Sequence, residues 1–436
     1  MLLRTPKSMV AGVSALCWVA VCDCGARTPL GGIANDSEIP GDASAETAPP
    51  SEAGPDAPSL IDATSDADAP VAPDADAAPP CNHWSVWSKP PVALTSPEGD
   101  SQLTGMAVEG DGVFVGTMNN NDPSPDPTWR VRWVSGDVEN LGPSQVAFKH
   151  PQGVSLSGIS LSSRLGHRGA IVWDESGGCR FAALSGDGSP SSPVSITDAW
   201  CAWLRATPAG FTAFAAQPFS LDSASFVSLD PSGALLSSKQ DVIPGTTSAD
   251  HGLTRANFED GSMLIVWRHG DASALAMRLS EAGEALNAPK ELSGLSGNAR
   301  VSIAATGSGA LLAYSQAASD YAVRLIPMDK DGNPTGAETT VAEGDGIDVG
   351  FVDVASTSSG AMVAWSKGAT GSYHTLRARP VTTSGTIDGD ALLVPSAQFL
   401  GTVKLANTES GLVLLFSGEK AGTLTQVFAT RLICSQ

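Results

Sequence analysis

The stretch GALLAYSQ (Gly309–Gln316) returns fifty-one residues later as GAMVAWSK (Gly360–Lys367), and fifty-one after that as GLVLLFSG (Gly411–Gly418). Each copy is a short apolar run that begins at a glycine and closes on an aromatic residue. Aligned on that aromatic, GAIVW (ending at Trp173), GFTAF (Phe214) and MLIVW (Trp267) precede Tyr314, Trp365 and Phe416, at intervals of 41, 53, 47, 51 and 51 residues. GVFVGTM, beginning at Gly112, is an earlier copy without the aromatic, which makes seven.

Each unit carries more than this run. Upstream lies another strand-like segment ending in a glycine turn, as in VSIAATGSG, FVDVASTSSG and VKLANTESG. Downstream come an alternating strand (YAVRLIPM, TLRARPV, TQVFATRLI), a polar glycine turn (LDPSG, SEAGE, DKDGN) and a fourth short run such as ETTVA or ALLVP. Four short strands joined by hairpin turns, reissued every 40–55 residues, predict an all-β chain folded as a β-propeller of four-stranded blades. The continuous apolar run fits a strand buried on both faces between neighbouring blades, with its aromatic filling that space. Residues 81–436 allow about 51 residues per unit for seven units; six or eight stay open, because the first two units are the least regular.

The seventh unit, from about Gly401, runs out after three strands. HWSVWSKPPVAL (His83–Leu94) can supply the fourth by pairing with QVFATRLICS, which closes the ring and removes exposed edges. That closure brings Cys81 beside Cys434 and predicts a disulfide there, leaving Cys179 and Cys201 to pair between units two and three.

Everything before Cys81 differs in kind. Arg4 and Lys7 precede an apolar run, Met9–Val21, too short to span a bilayer, so residues 1–24 read as an export signal. CDCGARTPL, after that run, is similar to the processing region of bacterial envelope lipoproteins, in which an N-terminal cysteine is followed by glycine and a polar spacer. The resemblance implies lipidation at Cys22 or Cys24; the residues just before them, Val21 and Asp23, depart from the usual small residue, and simple cleavage and release is the alternative. Residues 25–80 form an acidic Ala/Pro/Asp-rich linker: Thr28–Pro80 holds eleven Asp plus Glu and no Lys or Arg, a composition expected to stay disordered and extended.

The chain carries −21 overall and residues 81–436 carry −12, which disfavours nucleic acid and anionic membrane surfaces as partners. Catalytic signatures are missing: there is no HExxH, GxSxG, GxGxxG or GxxxxGK[ST]. SPDPTW (Ser124–Trp129) is the nearest approach to the SxDxGxTW turn of sialidase-like propellers, but it lacks the glycine and occurs once. Arg132, Arg180, Arg278, Arg324, Arg377 and Arg431 recur one per unit on third strands, as structural pairing would require. DKDGN (Asp329–Asn333) begins like a calcium loop but lacks the later glutamate, so a hairpin turn is the preferred reading and no metal or cofactor is expected.

The longest early insertion, MNNNDPSPDPTW, makes Asn119, Asn120, Asn121, Asp122, Asp126 and Trp129 the candidate binding loop. The expectation is therefore a monomeric, non-catalytic propeller, exported and either anchored in the envelope by an N-terminal lipid or secreted, that binds a protein or glycan through its face loops. The alternatives are an extracellular carbohydrate-acting hydrolase or lyase, marked by acids and bases meeting at one mouth of the channel, and a purely structural envelope component.

Overall fold

The computed structural model describes residues 81–435, except 82, 97–99, 120–127, 150–155, 165, 175–177, 198–199, 218–219, 240–241, 244–253, 270–272, 296–299, 316–320, 345–348, 369–373 and 420–424. Residues 1–80, with the expected signal, the linker, Cys22 and Cys24, lie outside the described residues.

The described chain is all-β, and its strands form the seven blades of a propeller, each of four antiparallel strands numbered from the inside outward. Blade 1 consists of Ser101–Glu109, Gly112–Asn119, Thr128–Ser135 and Gln145–Lys149. Blade 2 consists of Leu156–Arg164, His167–Asp174, Gly178–Ala183 and Val194–Thr197; blade 3 of Trp200–Thr207, Gly210–Gln217, Ser220–Leu229 and Leu235–Lys239. Blade 4 follows with Thr254–Asn257, Met263–His269, Ser273–Leu279 and Lys290–Ser293, and blade 5 with Arg300–Ala305, Gly309–Ser315, Val323–Asp329 and Thr339–Ala342.

Blade 6 begins with Val349–Ser356, Ala361–Lys367 and His374–Val381. Its outer strand runs without a break into the inner strand of blade 7 as one 17-residue strand, Leu392–Thr408, so these two blades share a continuous hydrogen-bonded sheet. Its pairing slips between Phe399 and Val403, where the strand leaves blade 6 and enters blade 7. Gly411–Glu419 and Gln426–Ser435 continue blade 7.

The missing outer strand of blade 7 comes from the other end of the propeller. His83–Val86 pairs with the last strand, Trp84 opposite Cys434 and Val86 opposite Leu432, and Val92–Ala93 pairs further along it. The contact continues as Leu94 N–H donates to Val427 O at 2.7 Å and Ser101 N–H to Thr425 O at 2.8 Å. Cys81 and Cys434 are joined by a disulfide, and Cys179–Cys201 links the third strand of blade 2 to the first of blade 3.

Apolar burial lies between blades. Seven hydrophobic clusters fill the seven junctions, from Phe114 with Ile159 and Val172 between blades 1 and 2 to Val413 and Leu415 with Val113 and Val115 between blades 7 and 1. The repeat aromatics occupy these layers: Trp267, Tyr314, Trp365 and Phe416 are at most 2% exposed and face the preceding blade. Phe214 is buried too but faces the following blade, beside Trp203 and Phe226. GFTAF reaches its aromatic one residue sooner after the glycine than GALLAY does, and strand side chains alternate faces, so one residue reverses the direction.

Five turns between third and fourth strands share one design, and in blade 1 Val138 (φ 61°) stands where they have glycine. In SGDGS, DPSGA, SEAGE, DKDGN and TTSGT the first residue's carbonyl accepts the N–H of a left-handed glycine, as Asp329 O does from Gly332. These glycines also seat the turn on the preceding blade. A Cβ on Gly283 (φ 78°) would lie 2.5 Å from the Phe226 ring, so neither the conformation nor the space admits a side chain.

The inner strand of each blade has one edge without a ladder partner, and side chains of neighbouring blades fill that need. Ser160 and Ser162 Oγ accept the N–H groups of Leu204 and Ala206, and Ser417 Oγ accepts Leu103 N–H. Ser302, Asp353 and Lys404, one per blade at the repeat interval, form the most connected of these links. Ser302 Oγ donates to Asp353 Oδ1 at 2.6 Å, Leu405 N–H donates to Oδ2 at 2.7 Å, and Lys404 Nζ lies 3.5 Å from Oδ1. Asp353 is 4% exposed.

Asp353→Ala would strand a buried N–H and hydroxyl and should cost about 3 kcal/mol or more. Lys404→Ala, which removes only the half-exposed partner, should cost less than about 1 kcal/mol. Equal losses in equilibrium denaturant unfolding would contradict this role for Asp353.

Candidate functional site

Strand direction gives the propeller two unlike ends. One collects the turns between first and second strands and between third and fourth; the other collects the connections between second and third strands and those leading to the next blade. At the first end the turns are hydrogen-bonded within themselves and to the neighbouring blade. At the second, connections run from two residues (218–219) to the stretch 240–253.

The candidate loop 119–129 belongs to the second end. Asn119 ends the second strand of blade 1, opposite Thr128, and its Oδ1 accepts the Ser101 hydroxyl. Asn120, Asn121, Asp122 and Asp126 lie outside the described residues. Trp129 needs correcting as a ligand contact: it is 0% exposed, packed with Phe114 and Phe148 between blades 1 and 2. Its place in the third strand, opposite Met118, turns the side chain into the core.

The third-strand arginines do not converge. Arg278 Nη2 bonds Asp260 Oδ2 at 2.8 Å, its Nη1 lies 3.2 Å from Asp331 Oδ1, and its Nε donates to Ser262 Oγ. Arg324 pairs with Glu338 in its own blade, while Arg132 and Arg431 donate to the carbonyls of Leu94 and Ser410. In DKDGN, Asp329 accepts the N–H groups of Asp331 and Asn333 and the Asn333 amide, which is how a capped hairpin turn uses a carboxylate. No group of three or more metal-ligating side chains occurs among the described residues.

Charged side chains do gather at the compact mouth of the channel, a feature sequence reasoning raised only as a test for an enzyme. Glu109 holds Arg168 through both carboxylate oxygens and accepts Ser163 Oγ at 2.6 Å, joining blades 1 and 2. Asp260 receives Ser262, Arg278 and Lys330. Between blades 3 and 4, where the inner strands approach less closely than elsewhere, Trp203, Arg205 and Arg255 span the junction. The 51-residue spacing of 302, 353 and 404 was readable in advance; Arg164 and Arg205 stand 41 residues apart, the interval from Trp173 to Phe214, and Arg255, twelve residues before Trp267, breaks that spacing.

The resolved carboxylate shifts all run downward. The Ser262 hydroxyl, then its N–H, hold Asp260 well below the usual range, and the Ser185 hydroxyl with the turn N–H of Ser189 brings Asp187 to about 2. Hydrogen bonds led by Ser135 and Ser232 lower Asp137 and Asp230. For Asp329 burial pushes upward and is outweighed by Asn333 and the turn N–H groups. Such groups are anions at neutral pH.

No protein-family model matches the sequence, and no curated protein is significantly similar to it. Among solved structures, the chain is similar to the Cps50 (Swd1) β-propeller domain of Myceliophteria thermophila, at 14% identity over 78% of this chain and 99% of that one, with a TM-score of 0.49. It is also similar to the endosialidase of phage phi92 (10% identity, 81% and 69% covered, TM-score 0.49). A third is the propeller domain of the Trilobed protease from Pyrococcus furiosus (9% identity, 78% and 94% covered, TM-score 0.44). Likeness at this level says nothing of activity or ligand.

Because these five aspartates titrate lower folded than unfolded, their contribution is complete above about pH 4 and is lost as pH falls toward 2. The melting temperature should therefore stay level from pH 7 to 5 and drop below pH 4, with Asp260→Asn shallowing the drop. A melting temperature that rises on acidification would contradict this.

Proposed function

We propose that the chain is a non-catalytic binding scaffold that holds a protein or glycan against the end of the ring where the connections vary in length. The observation that carries this reading is the contrast between the two ends. The compact end repeats one turn, whose polar groups are engaged within the turn and by the neighbouring blade, while length and composition vary at the other, and binding resides in loops that a rigid scaffold can afford to vary. The 119–128 connection, with Asn119 at its base and a run of Asn, Asp and Pro, is the longest link between second and third strands.

The locally paired arginines, Arg278 with Asp260 and Arg324 with Glu338, favour binding over hydrolysis. Two disulfides, which form in oxidising compartments, and the N-terminal sequence support an exported chain. On this reading residues 1–24 are the signal, residues 25–80 hold the ring away from its point of attachment, and residues 81–436 bind. A lipid on Cys22 or Cys24 would fix the chain to the envelope.

The full chain, tested on a glycan array and by pull-down from envelope extract, should show a specific partner. Replacing 120–127 with two glycines should weaken that binding at least tenfold without lowering the melting temperature. Unchanged binding by the shortened chain, or no specific partner in either assay, would overturn the proposal.

A further inference from the structure

In blades 1 to 6 the third and fourth strands are consecutive in the chain and joined at the compact end by a peptide turn, such as Asp329–Asn333 in blade 5. Blade 7 is built otherwise. Its third strand, Gln426–Ser435, passes Leu412 at the compact end, and the strand paired with it there, His83–Val86, comes from the other end of the propeller. Cys434 and Cys81 stand where the other blades have their turn, and a disulfide takes the place of the peptide connection.

The two disulfides differ in access. Cys179 is 0% exposed and Cys201 4%, both inside the cluster between blades 2 and 3 with Phe181 and Leu204. Cys81 and Cys434 are half-buried, beside the exposed His83 and Ser435. Exchange requires a thiolate to reach a sulfur, so the outer bond is open to attack and the inner one is shielded. The chain next to the outer bond is lightly held: His83–Val86 has a four-residue ladder at the edge of the sheet, and none of the four is buried. Further along the hold is firmer. Val92–Ala93 pairs with Ala429 and Phe428, Leu94 N–H donates to Val427 O, and Gln426 Nε2 donates to Thr95 O at 2.9 Å. Leu94 is buried in the apolar seam between blades 7 and 1, which closes the ring without help from the disulfide.

We propose that Cys81–Cys434 is a redox-sensitive latch, which a dithiol reductant opens while Cys179–Cys201 stays intact, releasing His83–Val86 from blade 7 without opening the ring. One thiolate of the dithiol attacks the sulfur of Cys81 or Cys434, forming a mixed disulfide and expelling the other cysteine as a thiolate. The dithiol's second sulfur then displaces the remaining cysteine, and the reductant leaves as its own disulfide. Two electrons pass from the dithiol to the cysteine pair, which ends as two thiols carrying the dithiol's two protons. Release uncovers the backbone groups of Leu432–Ser435 as a free strand edge. The latch lies at the compact end and does not depend on what the variable connections bind.

Partial reduction of the folded full chain tests this, and no variant has to fold for the result to count. With free thiols blocked first, the chain is treated with dithiothreitol as the dithiol, quenched with an isotopically heavy alkylating reagent and mapped by mass spectrometry. Cys81 and Cys434 should take the heavy label together, at least about tenfold faster than Cys179 and Cys201. Where only the outer pair is reduced, amide deuterium exchange should rise about tenfold or more over residues 83–86 and 432–435 and stay at the parent rate in the second strands of all seven blades. Removing the dithiol under air should re-form Cys81–Cys434 and restore the protection. Equal reduction rates for the two pairs, or the inner pair reduced first, would overturn the proposal. So would unchanged exchange at 83–86 after reduction, a rise that spreads through every blade, or failure of the outer pair to re-form.

Discussion

A small four-stranded sheet with apolar residues on both faces cannot be stable alone, and the rest of this structure follows from that constraint. Each blade buries itself only against two neighbours, so the seven hydrophobic clusters lie between sheets and none belongs to a single blade. A linear stack would leave two apolar faces in water. Bending the stack into a ring removes both at once, provided blade 7 finds blade 1. The cluster of Ala406, Val413 and Leu415 with Leu103, Val113 and Val115 is that meeting, and His83–Val86 secures it by completing blade 7 from the far end of the propeller.

Closure creates a second requirement. The inner strands fan around an axis and cannot pair with one another, so their free edges need acceptors and donors from elsewhere. Serine hydroxyls, the Asp353 carboxylate and the long arms of Arg205 and Arg255 meet that need, each joining adjacent blades. Polar residues on an otherwise apolar strand are thus part of the ring's construction.

Much of this was legible in the sequence, because a repeat multiplies weak signals. The recurrence of GALLAY, GAMVAW and GLVLLF located the second strands, the shortfall after Gln426–Ser435 pointed to His83–Leu94, and both cysteine pairs followed from the ring. Features that break the repeat were not legible. Phe214 faces the opposite blade because one residue is missing after Gly210, a change of side that alignment on the aromatic conceals. Leu392–Thr408 reads as two strands in composition yet forms one. Trp129 looked like a loop residue from its neighbours, whereas the strand register decides its burial.

The central claim is that the propeller's two ends are joined at one blade, and disulfide mapping of the unreduced protein tests it most directly. Proteolysis followed by mass spectrometry should recover Cys81 linked to Cys434, and Cys179 linked to Cys201. Recovery of Cys81 linked to Cys179 or Cys201, or of Cys434 as a free thiol, would contradict a ring closed by its own first strand.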